Sequence, residues 1–409
     1  MPFIRQGPAL QAPCGGPFRV QSLPGLSREF SDKDSRTHAE VLSKPVHRAR
    51  LCALSLYVEH RFFGPSTPEP ATYEHLTLEQ AATDNHRIVK AFKPLYGGKW
   101  VSTGGSKGGM ASIYHRALYS RDVDATVAFV APNSYGPEDP RYIQFLSRVG
   151  DAACRERIKA FQRDVLSRRD ELTPLMVEAM AAQGLTFNVL GPDRAFEFLA
   201  LELPFAFFQY IPVEYCVFIP VPGAPTAEVM EVLDGIGSFS FFTDSSLHDS
   251  APYFFQAGTQ LGSYRSDELH LRDLVRYPRQ YVPSSMVPFS MEGYSFNYWA
   301  MPLIEAWVKG LGERILLIYG ENDPWSTGAF EVRQRNDSYR FFVPGGTHGS
   351  SITTLPEGDR AVALERLRTW AGLPPAAQEQ VSLKAAALAS GAESFDPIAV
   401  DRRKLPPLE

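Results

Sequence analysis

The chain lacks most of the features that would settle its class at a glance. It has no run of 18 or more apolar residues, so no segment reads as a membrane span. Neither sign of charge dominates. Against 41 Lys and Arg stand 46 Asp and Glu, for a net charge of −5 and a pI near 6.0, a balance that argues against a nucleic-acid partner. Cysteine is scarce. The four present, Cys14, Cys52, Cys154 and Cys216, show no C-x-x-C spacing of a zinc or redox site, and they allow two disulfides, one or none. No repeat recurs at solenoid periods. The opening MPFIRQGPALQAPCGGPFRVQ is broken by Pro and Gln and does not read as a secretory leader.

What is present is the composition of a folded protein: 409 residues, 44% hydrophobic and 12% aromatic, with a mean hydropathy of −0.19. That length suits one large domain, or a domain carrying an insertion. Residues 1–48 are rich in Pro, Arg, Ser and Gly and read as irregular. From Leu51 the pattern changes. LCALSLYVEH reads as a buried strand ending at the Gly64-Pro65 loop. LTLEQAATDNHRIVKAF has helical spacing, with Thr77 as its cap and Gln80 three residues on. KWVST reads as a strand, GGSKGG as a turn, MASIYHRALYS as a helix and VDATVAFVAP as a further strand. Alternating strand and helix implies βαβ units and a parallel sheet, whose ligands bind at the carboxyl ends of the strands.

Residues 49–139 therefore read as the first part of an α/β core, and 140–304 as a mostly helical insertion, a cap. YIQFLSRVGDAACRERIKAFQRDVLSRRDELTPLMVEAMAAQ and DRAFEFLALELPFAFFQY are helical in pattern. RYPRQYVPSSMVPFSM is too broken by Pro and Ser to assign. Residues 305–373 resume the core, with ERILLIYGENDPW and YRFFVPGGTHGS each running from strand to loop and EGDRAVALERLRTWAG closing as a helix. Residues 374–409 form an Ala- and Pro-rich tail.

The stretch VSTGGSKGGM contains Gly104-Gly105-Ser106-Lys107-Gly108, a match to G-x-S-x-G. At a sharp strand-to-helix turn a nucleophilic serine sits in strained backbone, and side chains two positions either side would collide with strand and helix. The same turn aims the backbone N–H of Lys107 at an incoming oxyanion. Taken alone, the match is also compatible with an ordinary tight turn. A phosphate loop fits worse, because G-x-x-x-x-G-K-[ST] places the hydroxyl after the lysine and here it comes before. A serine nucleophile needs a base, and the base an orienting acid. Asp323, in GENDPW, and His348, in PGGTHGS, each follow a predicted strand in the chain order serine, acid, histidine. Individually they read equally well as a turn former and a loop histidine; it is their order and placement together that point to a triad. The Lys107 side chain is expected to be solvated.

Those residues lie in longer blocks. VEHRFFGPSTP, WVSTGGSKGGM, VAFVAPN, PYFFQAGTQLG, YGENDPWS and VPGGTHGS together resemble the bacterial prolyl tri/tetrapeptidyl aminopeptidases, secreted serine peptidases, from about Leu51 to Gly372. The resemblance implies an α/β-hydrolase: a mostly parallel sheet flanked by helices, with a helical cap. It implies Ser106 as nucleophile, Asp323 as acid, His348 as base, and no metal or organic cofactor. The implied reaction releases tri- or tetrapeptides from free peptide N-termini, with proline at the cleaved position. The partners are then peptides, with no nucleic acid or membrane, and the location is secreted or periplasmic. A Cys154–Cys216 disulfide in the cap is also implied. Reading a free ammonium calls for a carboxylate, for which Glu59, Glu197 and Glu202 are candidates. A proline pocket would use aromatics such as Phe205, Phe207, Phe208 and Trp325. One feature departs from the family: residues 1–48 show no Gly-containing loop to supply a second oxyanion N–H, PCGGPF being the only nearby pair. An esterase with the same triad, or a catalytically weakened hydrolase-like binding protein, are the alternatives, and the oligomeric state is not legible.

Overall fold

The computed structural model describes residues 56–373. The irregular segment 1–48, the tail from 374, Cys14 and Cys52 lie outside the described residues. So does the first half of the expected strand LCALSLYVEH, and Leu56–His60 belongs to none of the sheet strands among the described residues.

Four strands form one parallel sheet in the order β1 (Val101–Gly105), β2 (Ala125–Phe129), β3 (Ile315–Gly320), β4 (Tyr339–Val343). Central β2 and β3 are buried along their whole length, as parallel strands covered on both faces must be, whereas edge strand β4 alternates. The alternation sorts the apolar side chains into two cores. Ala128, Leu317 and Tyr319 point to one face, where they meet α1 (Leu78–Phe92) and α2 (Lys107–Leu118). Val127, Phe129, Leu316 and Ile318 point to the other. Each such buried aliphatic or Phe side chain contributes about 1.5–3 kcal/mol relative to exposure. Helix α1 starts where the sequence expects: Thr77 accepts a hydrogen bond from the Gln80 N–H, and Leu78, Ala81, Ala82 and Val89 are buried.

Between β2 and Ala257 the chain forms six α-helices: α3 (Arg141–Leu146), α4 (Ala152–Ser167), α5 (Arg169–Ala181), α6 (Pro192–Tyr210), α7 (Thr226–Gly237) and α8 (Asp244–Gln256). They enclose their own apolar cluster, centred on α6, whose residues Phe196 to Phe208 are almost all buried. Cys154 on α4 and Cys216 in the turn Val213–Phe218 are joined by a disulfide. Helix α8 runs directly into a π-helical turn, Ala257–Leu261, and the Pro- and Ser-broken stretch that follows holds only short turns such as Pro283–Ser285. Helix α9 (Ala300–Gly310) leads back to β3, and α10 (Glu357–Trp370) covers the second face of the sheet with Ala363, Leu367 and Trp370. Among the described residues, no helix is long and apolar enough to cross a membrane.

Candidate active site

All four strands end at one edge of the sheet, and Ser106, Asp323 and His348 follow β1, β3 and β4 there. With strands about 4.8 Å apart, the ends of β1 and β3 stand about 10 Å from each other, near enough for loops to close over β2.

Ser106 occupies the turn from β1 into α2 with φ 51° and ψ −124°, a region that side-chain-bearing residues rarely adopt and that functional sites retain. Its N–H donates to the Phe129 carbonyl at 2.8 Å, and its carbonyl accepts from Met110 N–H at 3.0 Å, locking the turn between β2 and α2. The glycines are required for space. A Cβ on Gly104 would fall 2.3 Å from the carbonyl carbon and oxygen of Gly108. The first backbone N–H groups of α2, beginning with Lys107, have no partner within the helix and lie at its positive end.

Two interlocked loops hold the acid and the base. Asn322 N–H donates to the Gly346 carbonyl at 2.8 Å and Glu321 N–H to that of Val343 at 3.0 Å. Asp323 is fully buried. Its Oδ1 accepts from Trp325 N–H at 3.1 Å, and its Oδ2 accepts from His348 Nδ1 at 2.7 Å. A carboxylate can only accept, so Nδ1 carries a proton, and in the neutral imidazole Nε2 is the nitrogen left to accept one. Nε2 is buried and has no partner among the described residues. An imidazole in that state can take a proton from a hydroxyl brought to Nε2.

The Lys107 side chain departs from the solvated state expected of it. Its Nζ is buried, has no hydrogen-bond partner among the described residues, and lies 5.1 Å from the centre of the Phe63 ring. Burial pushes the ammonium down to about 7. The loop that covers it, His60–Ser66, follows the VEH segment. His60 Nδ1 donates to the Arg61 carbonyl at 2.9 Å, so Nε2 accepts from the Tyr114 hydroxyl at 3.0 Å. Burial and then the Lys107 charge hold this imidazole well below its ordinary value, hence neutral. The sequence shows no second oxyanion loop in residues 1–48, which lie outside the described residues; among the described residues, His60–Ser66 packs against Lys107 beside the Ser106 turn.

The three glutamates separate cleanly. Glu197 is fully buried, but it cannot read a ligand. Arg169 Nη2 and the Arg276 N–H bond its Oε2, and the Tyr277 N–H bonds its Oε1 at 2.8 Å. It is a neutralised internal ion pair, and the candidacy fails on that ground. Glu59 uses Oε2 to accept from the Ser66 N–H at 3.1 Å and hydroxyl at 2.6 Å, which shapes the loop over Lys107. Glu202 is different. Both its hydrogen bonds, from the Tyr264 and Tyr281 hydroxyls, run to Oε2, and burial pushes its carboxyl up to about 8. Beside it Phe205 stacks on Tyr264 at 3.8 Å, and Trp325 meets Phe205 edge-on at 4.9 Å. An aromatic wall thus runs from Glu202 to the residue two beyond Asp323. Phe205, Phe207, Phe208 and Trp325 all belong to the buried helical cluster, Phe208 packing where a Cβ on Gly150 would be.

An imidazole held in a single tautomer, at the edge of a parallel sheet that also presents a strained serine, defines a serine hydrolase of the α/β-hydrolase class. More particularly, the chain belongs to the PS-10 peptidase S37 family, whose model matches residues 47–406, and it is accordingly a serine peptidase acting on peptides. It is 40% identical over 352 residues to the prolyl tri/tetrapeptidyl aminopeptidase of Streptomyces mobaraensis, covering 85% of this chain and 73% of that one. Two solved structures align with it at 14% identity and a TM-score of 0.31: a proline iminopeptidase from Mycobacterium smegmatis, covering 77% of this chain and 80% of that one, and VinJ, covering 78% and 81%.

Proposed function

We propose that the protein is a secreted or periplasmic serine aminopeptidase that releases tri- or tetrapeptides from free peptide N-termini, with proline at the cleaved position. The S37 family and the name of the 40% identical relative support the aminopeptidase class. The observation that carries the mechanism is the pairing of Asp323 with His348 Nδ1, which leaves Nε2 without a partner among the described residues.

Ser106 Oγ attacks the scissile carbonyl while His348 Nε2 takes its proton. Asp323 keeps the imidazole in that tautomer and stabilises its charged form. The Lys107 N–H receives the developing oxyanion. His348 then passes the proton to the leaving amine, and water, activated the same way, releases the acyl peptide. Glu202 anchors the substrate ammonium. Among the described residues its two hydrogen bonds run to Oε2, which leaves Oε1 to the ligand, and the aromatic wall through Phe205 and Trp325 takes the proline ring.

The test is turnover of Ala-Ala-Pro p-nitroanilide by the wild type and by Ser106→Ala, with fluorophosphonate labelling alongside. The wild type should cleave and label, and the variant should do neither. Cleavage of N-acetylated substrate as fast as the free form would remove the ammonium anchor and leave an esterase-like hydrolase.

A further inference from the structure

Gln256, the last residue of α8, is completely buried, and neither its amide nitrogen nor its amide oxygen has a partner among the described residues. Buried amides in native proteins are almost always hydrogen-bonded, and leaving both ends of one unpaired is costly. The missing partner is expected to arrive from outside the fold.

Its surroundings say what that partner is. One turn earlier, on the same face of α8, stands Tyr253. Its phenol is pushed up by burial and then by the charge of Glu202. The preceding residue, Phe255, packs on Phe62 and Leu76, and Phe62 belongs to the loop whose next residue covers Lys107. Past Gln256 the chain widens into the π-helical turn, whose Leu261 packs with Met110 and Ala131 beneath the Ser106 turn; such turns gather at functional sites. Gln256 therefore lies between Phe255, which packs beside the loop over Lys107, and the turn whose Leu261 shares a core cluster with Met110.

We infer that the Gln256 side-chain amide pairs with a peptide unit of the bound substrate between the scissile bond and the N-terminus, Nε2 donating to its carbonyl and Oε1 accepting from its N–H. This rests on the aminopeptidase reading above. A primary amide and a peptide unit each offer one donor and one acceptor in matching directions, whereas a short acyl ester offers no N–H. Gln256 thus acts as a specificity-determining residue that favours a peptide long enough to reach from Ser106 to Glu202.

The experiment compares Gln256→Leu and Gln256→Met with the wild-type chain on Ala-Ala-Pro p-nitroanilide and on p-nitrophenyl acetate, with the thermal midpoint recorded for each. Both variants should lower the ratio of tripeptide to acetate kcat/KM by about 10–100-fold, the effect of losing a pair of hydrogen bonds, with a midpoint equal to or above that of the wild type. An unchanged ratio would mean that water fills the site and would overturn the inference. So would failure of both variants to fold, which would make the amide structural. A wild type that hydrolyses the acetate but not the tripeptide would instead sink the aminopeptidase reading, a result visible before any variant is made.

Discussion

The backbone N–H of His348 donates to the carbonyl of Gln209 at 2.8 Å. The loop carrying the candidate base is thereby tied to the last turn of α6, and the position of the imidazole depends on the helical region as well as on the sheet. Just past α6, Cys216 is bonded to Cys154 on α4, 62 positions earlier in the chain. A cross-link closing a loop of that size contributes about 4 kcal/mol by restricting the unfolded chain. The double variant Cys154→Ser/Cys216→Ser should lower the thermal midpoint by roughly 5–10 °C. Below that midpoint it should reduce kcat more than it raises KM, because the neighbour that steadies His348 is loosened. Calorimetry and steady-state kinetics on the same preparation check both, and an unchanged midpoint would show that the bridge adds nothing.

Glu202 gives a pH signature. Its folded carboxyl titrates near 8 instead of the ordinary 4.5, so the folded chain holds a proton that the unfolded chain has released. The associated stability is complete below about 4.5 and is lost as pH rises to about 8. Glu202→Gln should therefore gain stability over the wild type at pH 9 and almost none at pH 4, as read by denaturant titration. On free peptides, wild-type kcat/KM should climb toward pH 8 as the carboxylate forms and fall again as the substrate ammonium, of pKa about 7.7–8.0, loses its proton. The variant should lose the rising limb attributable to Glu202, together with about 10–100-fold in kcat/KM. A variant as active as the wild type on free peptides would refute the anchor.

Lys107 has the opposite sign. Burial lowers its ammonium from 10.5 to about 7, so the folded chain binds fewer protons than the unfolded one between those values, and stability rises with pH across that window. Lys107→Met retains the backbone N–H and removes the buried cation. Its thermal midpoint should exceed that of the wild type at pH 7, and the difference should close near pH 10. A gain independent of pH would indicate packing against Phe63 instead of charge.

These two side chains also mark the limit of what the sequence disclosed. The candidate triad Ser106, Asp323 and His348 could be proposed from sequence because each follows a short apolar strand, and the order of those strands already implied a parallel α/β sheet; the family and its serine aminopeptidase class followed from the surrounding blocks. Whether Lys107 is solvated depends on a loop more than 40 positions upstream folding over it. Glu197 and Glu202 share one helix and one aromatic setting in sequence. Only the arrival of Arg169 and the backbone of Arg276 and Tyr277 tells the neutralised carboxylate from the available one. Gln256 gave no signal in sequence, since its importance lies in partners it lacks. Partners brought together by folding are invisible to any reading of spacing.

Gly104 tests the serine turn itself. An added Cβ would stand 2.3 Å from the carbonyl carbon and oxygen of Gly108 and 2.8 Å from the nitrogen of Gly109. All of these are backbone atoms at the start of α2, with no flexible end to swing aside. Gly109 cannot yield either, because its own Cβ position is 2.8 Å from Ala131 Cβ and 3.0 Å from the Gly104 carbonyl. Gly104→Ala must therefore move Ser106 and the backbone N–H of Lys107 relative to His348. A displacement near 1 Å in such a constellation costs about 10²-fold in rate, so the variant should either fail to accumulate as soluble protein or retain at most a few per cent of wild-type kcat. Gly98→Ala is the matched control: nothing lies within 4 Å of its Cβ position, and it should alter stability by no more than about 0.5 kcal/mol. If Gly104→Ala matched that control in both yield and kcat, the strained turn would not be what presents the serine.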